Sequence, residues 1–235
     1  MSSPTTYELK DAVATITMDD GKANVMSVAM LSALNTALDK AVSDRAVVVL
    51  TGRTGIFSGG FDLKTLTAGG ADAQKMVTMG FELAHRLLSF PTPVVIACSG
   101  HAIAMGVFLV LAGDYRLGAD GPFKIGANEV AIGITMPHFG VEMCRQRLTP
   151  AHFNRAVMFS EMFSPTDAVP AGFLDRVVPA AELQAEAGKI AAALAKLNIT
   201  AFAASKMRVR EQALKAVRAA IDADGGLLTT PRNAG

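Results

Sequence analysis

Three segments of the chain combine residue types that suit chemistry at a carbonyl group. GIFSGGFDLK and SGHAIAMGVFLVLAGDYR are turns rich in small residues, and IGANEVAIG places Glu129 in an otherwise apolar stretch. Turns of small residues can present backbone N–H groups to a ligand, and a carboxylate can take up a proton. Together they predict a site that removes a proton next to a carbonyl and stabilises the resulting enolate.

Fixed N–H donors suit this reaction because removing that proton from a thioester moves negative charge onto its carbonyl oxygen. Losing one such donor typically raises the barrier by about 2.7–4 kcal/mol. Gly59, Gly60, Gly100 and Gly106 carry no side chain and let backbone and substrate come close. The run VFLVLA after Gly106 predicts a buried helix whose positive N-terminal end points at the preceding turn.

Each of these features also has a purely structural interpretation. Either glycine segment alone can be an ordinary turn that leads into a core element. Glu129 can be a loop carboxylate that is solvated or ion-paired. The two glycine segments together are a stronger indication of a site than either one by itself.

The elements that must position these segments alternate between strand and helix. Residues 7–18 favour β-structure, and residues 28–41 have helical spacing behind Ser27, a candidate N-cap. AVVVLTG and TPVVIACSG are continuously apolar strands with the amphipathic helix 76–88 between them. This order predicts an α/β fold with a parallel sheet buried on both faces.

The chain is mainly helical from Pro150 onward. PTDAVPAGFLDRVVP separates this part from two further helical stretches, 180–197 and 200–223, and TTPRNAG has the composition of a frayed tail.

Composition excludes several function classes. The chain has 235 residues, 51% of them hydrophobic, and a formal net charge of +1, which gives no reason to expect a nucleic-acid partner. No secretory signal or membrane span is visible, so we expect a cytoplasmic protein with no membrane partner. Cys98 and Cys144 have no partner at metal-ligand spacing, and we expect buried, reduced thiols and no metal.

The motifs resemble those of the enoyl-CoA hydratase/isomerase superfamily, the crotonases. FSGGFDLK is similar to the first oxyanion turn of that family, GHAIAMGVFLVLAGDYRLGA to the stretch with the second donor, and GANEVAIGI to the segment that follows. The similarity covers residues 7–178. It places the two oxyanion donors at the N–H groups of Phe61 and Met105, and Glu129 at the second glutamate of the family's hydratases.

The resemblance also implies an architecture and a ligand. It refines the α/β fold to a spiral of ββα units, with a crotonase core and acyl-CoA site in residues 1–179 and a C-terminal helical region, 180–235, used for oligomerisation. It implies an acyl-CoA thioester substrate, no cofactor apart from the coenzyme A of that substrate, and a homotrimer or homohexamer. The residues that it assigns to acyl-CoA binding are Lys22, Asn24, Gly59, Gly60, Phe61, Asp62 and Gly106.

Phe108 bears on the choice of reaction. The family's hydratases carry their first glutamate where this chain has Phe108, and hydration needs two carboxylates to position water and deliver protons. Shifting a double bond from the 3,4 to the 2,3 position needs only one base, so the sequence favours the single-glutamate isomerase type and Δ3,Δ2-enoyl-CoA isomerisation in fatty acid metabolism. A 2-enoyl-CoA hydratase (a lyase) and a non-catalytic acyl-CoA-binding protein remain the alternatives.

Other polar residues are assigned mainly structural roles. Asp114 and Arg116 are expected to form an ion pair. Lys22 and Lys206 are expected at the surface, where either could reach a phosphate of coenzyme A. Three further residues that could border the pocket, but that favour structural roles, are His101, His138 and Glu142.

Overall fold

The computed structural model describes residues 3–228, which form nine strands and ten helices. The strands are β1 (Thr5–Lys10), β2 (Val13–Met18), β3 (Val47–Gly52), β4 (Gly55–Ser58), β5 (Val94–Cys98), β6 (Gly100–Ile103), β7 (Tyr115–Ala119), β8 (Ile125–Gly126) and β9 (Arg176–Val178). The helices are α1 (Val28–Ser43), α2 (Leu63–Ala68), α3 (Gly70–Leu88), α4 (Met105–Ala112), α5 (His138–Arg145), α6 (Pro150–Met158), α7 (Pro165–Ala171), α8 (Leu183–Leu194), α9 (Ile199–Val209) and α10 (Glu211–Leu228).

The strands form two sheets. The larger sheet has the order β1-β2-β3-β5-β7-β9, and the smaller has the order β4-β6-β8. Every pair is parallel except the β1–β2 hairpin, which turns at Asp11 and Ala12 with positive φ angles of 48° and 61°. The predicted α/β fold of ββα units is confirmed: β3, β5 and β7 join the large sheet, and the strand after each joins the small one.

Both faces of the large sheet are buried at its central strands β3 and β5, which explains why these two strands are continuously apolar. In β3, Val48 and Leu50 face the main core with α1 and α3, whereas Val47 and Val49 face a second cluster. Helix α8 covers that second face with Leu183, Ala187 and Ala191. Part of the C-terminal helical region is therefore built into the core of the sheet.

Several local predictions agree with the structure. The Ser27 side chain caps α1 by accepting a hydrogen bond from the Met30 N–H at 3.2 Å. VFLVLA lies in α4, whose residues are all buried, and Cys98 and Cys144 are buried free thiols. The predicted helical stretch 200–223 is wrong as one helix, because α9 and α10 are separate and meet at Arg210. The tail 229–235 lies outside the described residues.

Among the described residues, no helix has the length and apolar character needed to cross a membrane.

Candidate active site

The small sheet brings the three chemistry-bearing segments to one edge. Its strands are parallel, with Ser58 paired to Ala102 and Ile103 paired to Gly126, so their carboxyl ends lie together. Each strand end leads within two or three residues to a predicted site residue, and these are Phe61 after β4, Met105 after β6 and Glu129 after β8. The carboxyl edge of parallel strands is where α/β proteins generally bind ligands.

The first donor turn, residues 59–61, is held by hydrogen bonds to neighbouring residues. The Gly59 N–H donates to Ala23 O at 2.8 Å, and the Gly60 N–H donates to Ser58 Oγ at 3.2 Å. Gly60 has a φ of +94°, a conformation that favours glycine. The next N–H, that of Phe61, donates no hydrogen bond within residues 3–228, which leaves it free for a ligand.

The second donor turn begins α4. Ala104 has a φ of +52°, and its N–H donates to Gly126 O at 3.1 Å, which joins this turn to the Glu129 segment. Met105 is the first residue of α4, and its N–H has no acceptor in the described part of the chain. The turns are adjacent, since a β-carbon at Gly60 would lie 3.5 Å from Met105 N. Two unused N–H groups therefore occupy neighbouring backbone segments.

Gly100 and Gly106 are packed closely against other segments of the protein. A β-carbon at Gly100 would collide with the backbone of Gly55, and one at Gly106 would lie 2.6 Å from Ser58 O. Both positions admit only glycine because other protein segments pack against them. The assignment of Gly106 to acyl-CoA binding stays a prediction.

Glu129 is a buried carboxylate with an unused oxygen. Its exposed fraction is 8%, and its Oε2 has no hydrogen-bond partner in the described residues. Burial raises the pKa of Glu129 to about 7, against a hydrogen bond from its own N–H that lowers it. The predicted rise above the ordinary value is confirmed, and a carboxyl group of this pKa can both accept and return a proton near neutral pH.

The backbone of Glu129 is bonded to the turn that follows it. Its carbonyl oxygen accepts hydrogen bonds from the N–H groups of Ile132 at 3.2 Å and Ile134 at 2.8 Å.

Burial and the Glu129 carboxylate together raise the pKa of Cys144 to about 12, so that thiol stays protonated. The interpretation of Glu129 as a solvated or ion-paired loop residue is wrong.

Phe108 is part of the aromatic core. It is 1% exposed, and its ring centroid lies 5.5 Å from that of Phe139 in an edge-to-face arrangement. The Phe139 ring in turn stacks on Phe81 at 4.0 Å. Position 108 therefore offers no polar group to the site.

Other carboxylates close in sequence to the site segments are already bonded. Asp62 caps α2, accepting from Lys64 N at 3.1 Å and from Thr65 Oγ1 at 2.9 Å. Glu142 pairs with Arg145 at 3.1 Å on the same helix, as its structural interpretation predicts. Within residues 3–228, no cluster of His, Cys, Asp and Glu is arranged to hold a metal ion.

An open surface cavity of about 500 Å³ lies beside Val130, the residue after Glu129, and not between the two turns that carry the predicted donors. It is lined by Val130, Gly133, Ile134, Thr135, Met136, Val157 and Met158. Because neither Phe61 nor Met105 lines it, we assign no part of the thioester to this cavity.

The residues predicted to hold coenzyme A differ in accessibility. Lys22 is exposed, with its carbonyl oxygen accepting from the guanidinium of Arg53, and its side chain is free to reach an anion. Asn24 is fully buried, and its amide is used in internal hydrogen bonds. The chain folds over this side chain, and the assignment of Asn24 to acyl-CoA binding stays a prediction.

The predicted ion pair between Asp114 and Arg116 is wrong. Arg116 pairs with Asp175, at 2.5 Å from Nη2 to Oδ1. Asp114 instead pairs with Lys206 at 2.8 Å and Arg210 at 2.9 Å. Lys206 is therefore buried and is not a surface residue, and burial lowers its pKa to about 8, against the attraction of Asp114.

The two histidines singled out in the sequence have ordinary surroundings. His101 Nδ1 accepts a hydrogen bond from the Lys124 N–H at 3.0 Å. His138 is exposed at the start of α5, and its N–H donates to Asp224 Oδ1 at 3.0 Å. Both contacts are structural.

Comparison with known proteins finds one family over nearly the whole chain. A protein-family model described as enoyl-CoA hydratase/isomerase matches residues 8–234. A solved structure of an enoyl-CoA hydratase/isomerase family protein from Pseudomonas syringae is 48% identical, with a TM-score of 0.94, and the match covers 96% of this chain and 98% of that one.

Named relatives include both an isomerase and a hydratase. Mitochondrial enoyl-CoA delta isomerase 1 of Mus musculus is 32% identical over 186 residues, which cover 76% of this chain and 63% of the mouse protein. An enoyl-CoA hydratase structure from Mycobacterium ulcerans is 46% identical, with a TM-score of 0.93 and coverage of 97% and 100%. The chain thus matches somewhat less than two thirds of the length of its curated mouse relative.

Proposed function

The chain belongs to the enoyl-CoA hydratase/isomerase family, and we propose that it catalyses Δ3,Δ2-enoyl-CoA isomerisation. The thioester carbonyl accepts hydrogen bonds from the N–H groups of Phe61 and Met105. Glu129 moves the proton. The observation that carries this proposal is the buried carboxyl group of Glu129, whose Oε2 has no hydrogen-bond partner within residues 3–228 and whose pKa is about 7.

The reaction needs one group that acts first as base and then as acid. The Glu129 carboxylate takes a proton from C2, and the electrons of that C–H bond form a C1–C2 double bond. The π electrons of the carbonyl group move onto its oxygen, which becomes the negatively charged oxygen of an enolate. Collapse of the enolate forms the C2–C3 double bond, and the electrons of the former C3–C4 double bond take the same proton from Glu129 at C4. Bonds and charges balance, and no second acid or base is required.

The two N–H groups stabilise the enolate more than the ground-state thioester, because the negative charge on oxygen is larger in the enolate. The N-terminal end of α4 adds partial positive charge at Met105. Ligand carbonyls at roughly 2.7–3.2 Å from both nitrogens are the expected geometry.

Phe108 favours isomerisation over hydration. A hydratase must also position and deprotonate a water molecule, and the glutamate that hydratases carry at the position of Phe108 takes part in that work. Position 108 is occupied here by an apolar, buried ring. A 2-enoyl-CoA hydratase is the second candidate, because the named relatives include a hydratase.

Product analysis with 3-enoyl-CoA and 2-enoyl-CoA substrates side by side tests the proposal. We expect the native protein to convert the 3-enoyl isomer and Glu129→Gln to bind it without turnover, since glutamine keeps the shape but does not accept the proton. Rapid hydration of 2-enoyl-CoA with no isomerisation would make the protein a hydratase. Binding of both thioesters without any turnover would identify a non-catalytic binder.

We also propose a closed symmetric oligomer, a trimer or a pair of trimers. Four large apolar side chains are exposed on two neighbouring segments, which the Ala131 N–H and Ser160 Oγ join at 3.1 Å. They are Val130, Ile132, Met158 and Phe159. A monomer mass by light scattering at micromolar concentration would refute this assembly.

A further inference from the structure

Asn24 is a fully buried polar residue in a conformation that few residues adopt. Its φ is +49°, and its side chain donates from Nδ2 to Met18 O at 3.0 Å and to Phe57 O at 3.2 Å. Its Oδ1 accepts from Asp20 N at 3.1 Å. These bonds fasten the loop before α1 to the last residues of β4, directly ahead of the first donor turn.

Ser58 connects Asn24 to that turn. The Ser58 hydroxyl donates to Asn24 O at 2.8 Å and accepts from the Gly60 N–H at 3.2 Å. Because the Gly60 N–H is turned back onto Ser58, it does not compete for the carbonyl of a ligand. The Ser58 hydroxyl thus holds the Gly59–Gly60 peptide group. The next peptide group, which carries the free N–H of Phe61, is held by the Met26 N–H, which donates to Gly60 O at 2.8 Å.

Ser58 also contacts the second donor segment. The first turn of α4 packs on it so closely that a β-carbon at Gly106 would lie 2.6 Å from Ser58 O and 2.8 Å from Ser58 Cβ. One buried residue thus bonds to the turn before Phe61 and supports the helix that begins at Met105. A displacement of Ser58 changes the separation of the two N–H groups.

We propose that Asn24 and Ser58 are positioning residues that set the relative placement of the two oxyanion donors. This inference rests on the proposed function, since it takes Phe61 and Met105 as the donors. Both side chains are buried and bonded within the protein, so neither is open to the substrate. They affect the stability of the bound enolate, whose oxygen needs hydrogen bonds from both N–H groups. They affect binding of the ground-state thioester much less, because the rest of that ligand also binds to the protein.

Ser58→Ala tests this role. The variant loses the hydroxyl that holds the Gly60 N–H, so we expect kcat for isomerisation to fall by roughly 10- to 100-fold, the range that a displacement near 1 Å produces. KM and the affinity for a saturated acyl-CoA should stay close to native. Ser99→Ala is the matched control, because Ser99 is also buried and donates to β4, to Ile56 O at 3.2 Å, without contacting either donor turn.

Asn24→Gly is the second variant. Glycine keeps the positive φ and the carbonyl group to which Ser58 donates, and removes only the side-chain bonds. It should lower kcat in the same way, and it keeps the inference testable where Ser58→Ala does not fold. A native kcat in every folded variant of the pair would overturn the positioning role. A rise in KM with an unchanged kcat would overturn it as well.

A spectroscopic readout separates this inference from the proposed reaction. An aryl-conjugated enoyl-CoA absorbs at longer wavelength when hydrogen bonds polarise its carbonyl, whether or not it turns over. We expect a red shift on binding to the native protein and to Ser99→Ala, and a smaller one with Ser58→Ala at equal occupancy. A native red shift without isomerisation would refute the reaction alone. An unchanged red shift in Ser58→Ala would refute the positioning role, and no red shift in the native protein would refute both.

Discussion

The ring of Phe61 lies directly against Gly80 in the middle of α3. A β-carbon at Gly80 would come within 2.5 Å of Phe61 Cε1 and 2.6 Å of Phe61 Cζ, and it would lie 3.5 Å from the sulfur of Met105. The side chains of both proposed donor residues therefore rest on one glycine of α3. Helix α3 therefore limits where these two side chains can lie.

Gly80→Ala should lower activity without unfolding the protein. Alanine favours a helix over glycine by about 1 kcal/mol, but its β-carbon forces the Phe61 ring to move and shifts the attached N–H. We expect a fall in kcat/KM for 3-enoyl-CoA with little change in the urea midpoint.

Gly188→Ala is the control for this change. Gly188 lies inside α8, and a β-carbon there meets no described atom within 4 Å. This variant should gain up to about 1 kcal/mol of stability and keep native kinetics. Native kinetics in Gly80→Ala as well would show that the ring contact does not position the donor.

Activity should depend on the ionisation of Glu129. Only the carboxylate removes the C2 proton, and burial raises the pKa of Glu129 to about 7. We expect kcat/KM for the 3-enoyl isomer to be highest above pH 7 and to fall about tenfold for each unit below it. A pH profile that is flat from pH 5 to 8 would contradict Glu129 as the base.

Stability should change with pH in the opposite direction. The folded pKa of Glu129 is about 7 and the ordinary value is 4.5, so the folded state holds this proton more tightly than the unfolded state. The contribution of Glu129 to stability is therefore fully present below pH 4.5 and is lost as the pH rises to about 7, by about 3 kcal/mol.

Glu129→Gln removes this dependence, because glutamine has no proton to lose. We expect the variant to be up to about 3 kcal/mol more stable than the native protein at pH 8 and nearly equal to it at pH 4. Urea unfolding of both proteins at the two pH values measures the difference. Equal stability at pH 8 would mean that the carboxylate is not desolvated in the native protein.

Asp114→Ala should strongly destabilise the protein. It leaves Lys206 and Arg210 buried without their carboxylate, and the Val94 N–H loses its acceptor at 2.8 Å. Removing one member of a buried ion pair costs about 3–5 kcal/mol. Glu211→Ala breaks the exposed pair of Glu211 with Lys215 and should cost far less than Asp114→Ala. Urea unfolding of both variants compares the two losses of stability.

The sequence alone predicted the local elements and the types of residue in the site. Continuous apolar runs such as VVVL and VVIA determined buried parallel strands, because both faces of such strands must avoid water. Ser27 marked the start of α1, since a serine side chain satisfies a free N–H there. The apolar chain neighbours of Glu129 predicted the direction of its pKa shift, but Val130 and Ile132 are exposed, so the burial that raises this pKa comes from other segments.

Only the tertiary structure decided which distant groups meet. Ser58, Ile103 and Gly126 end strands of one small sheet, and no local pattern shows that their carboxyl ends lie together. The roles of Asn24 and Lys206 depended in the same way on burial under segments far along the chain, which engaged the Asn24 amide and an expected surface lysine in internal bonds. Residue type limits which bonds a side chain can form, but long-range packing selects the partner, because the cost of burying a polar group unpaired is paid only in the folded state.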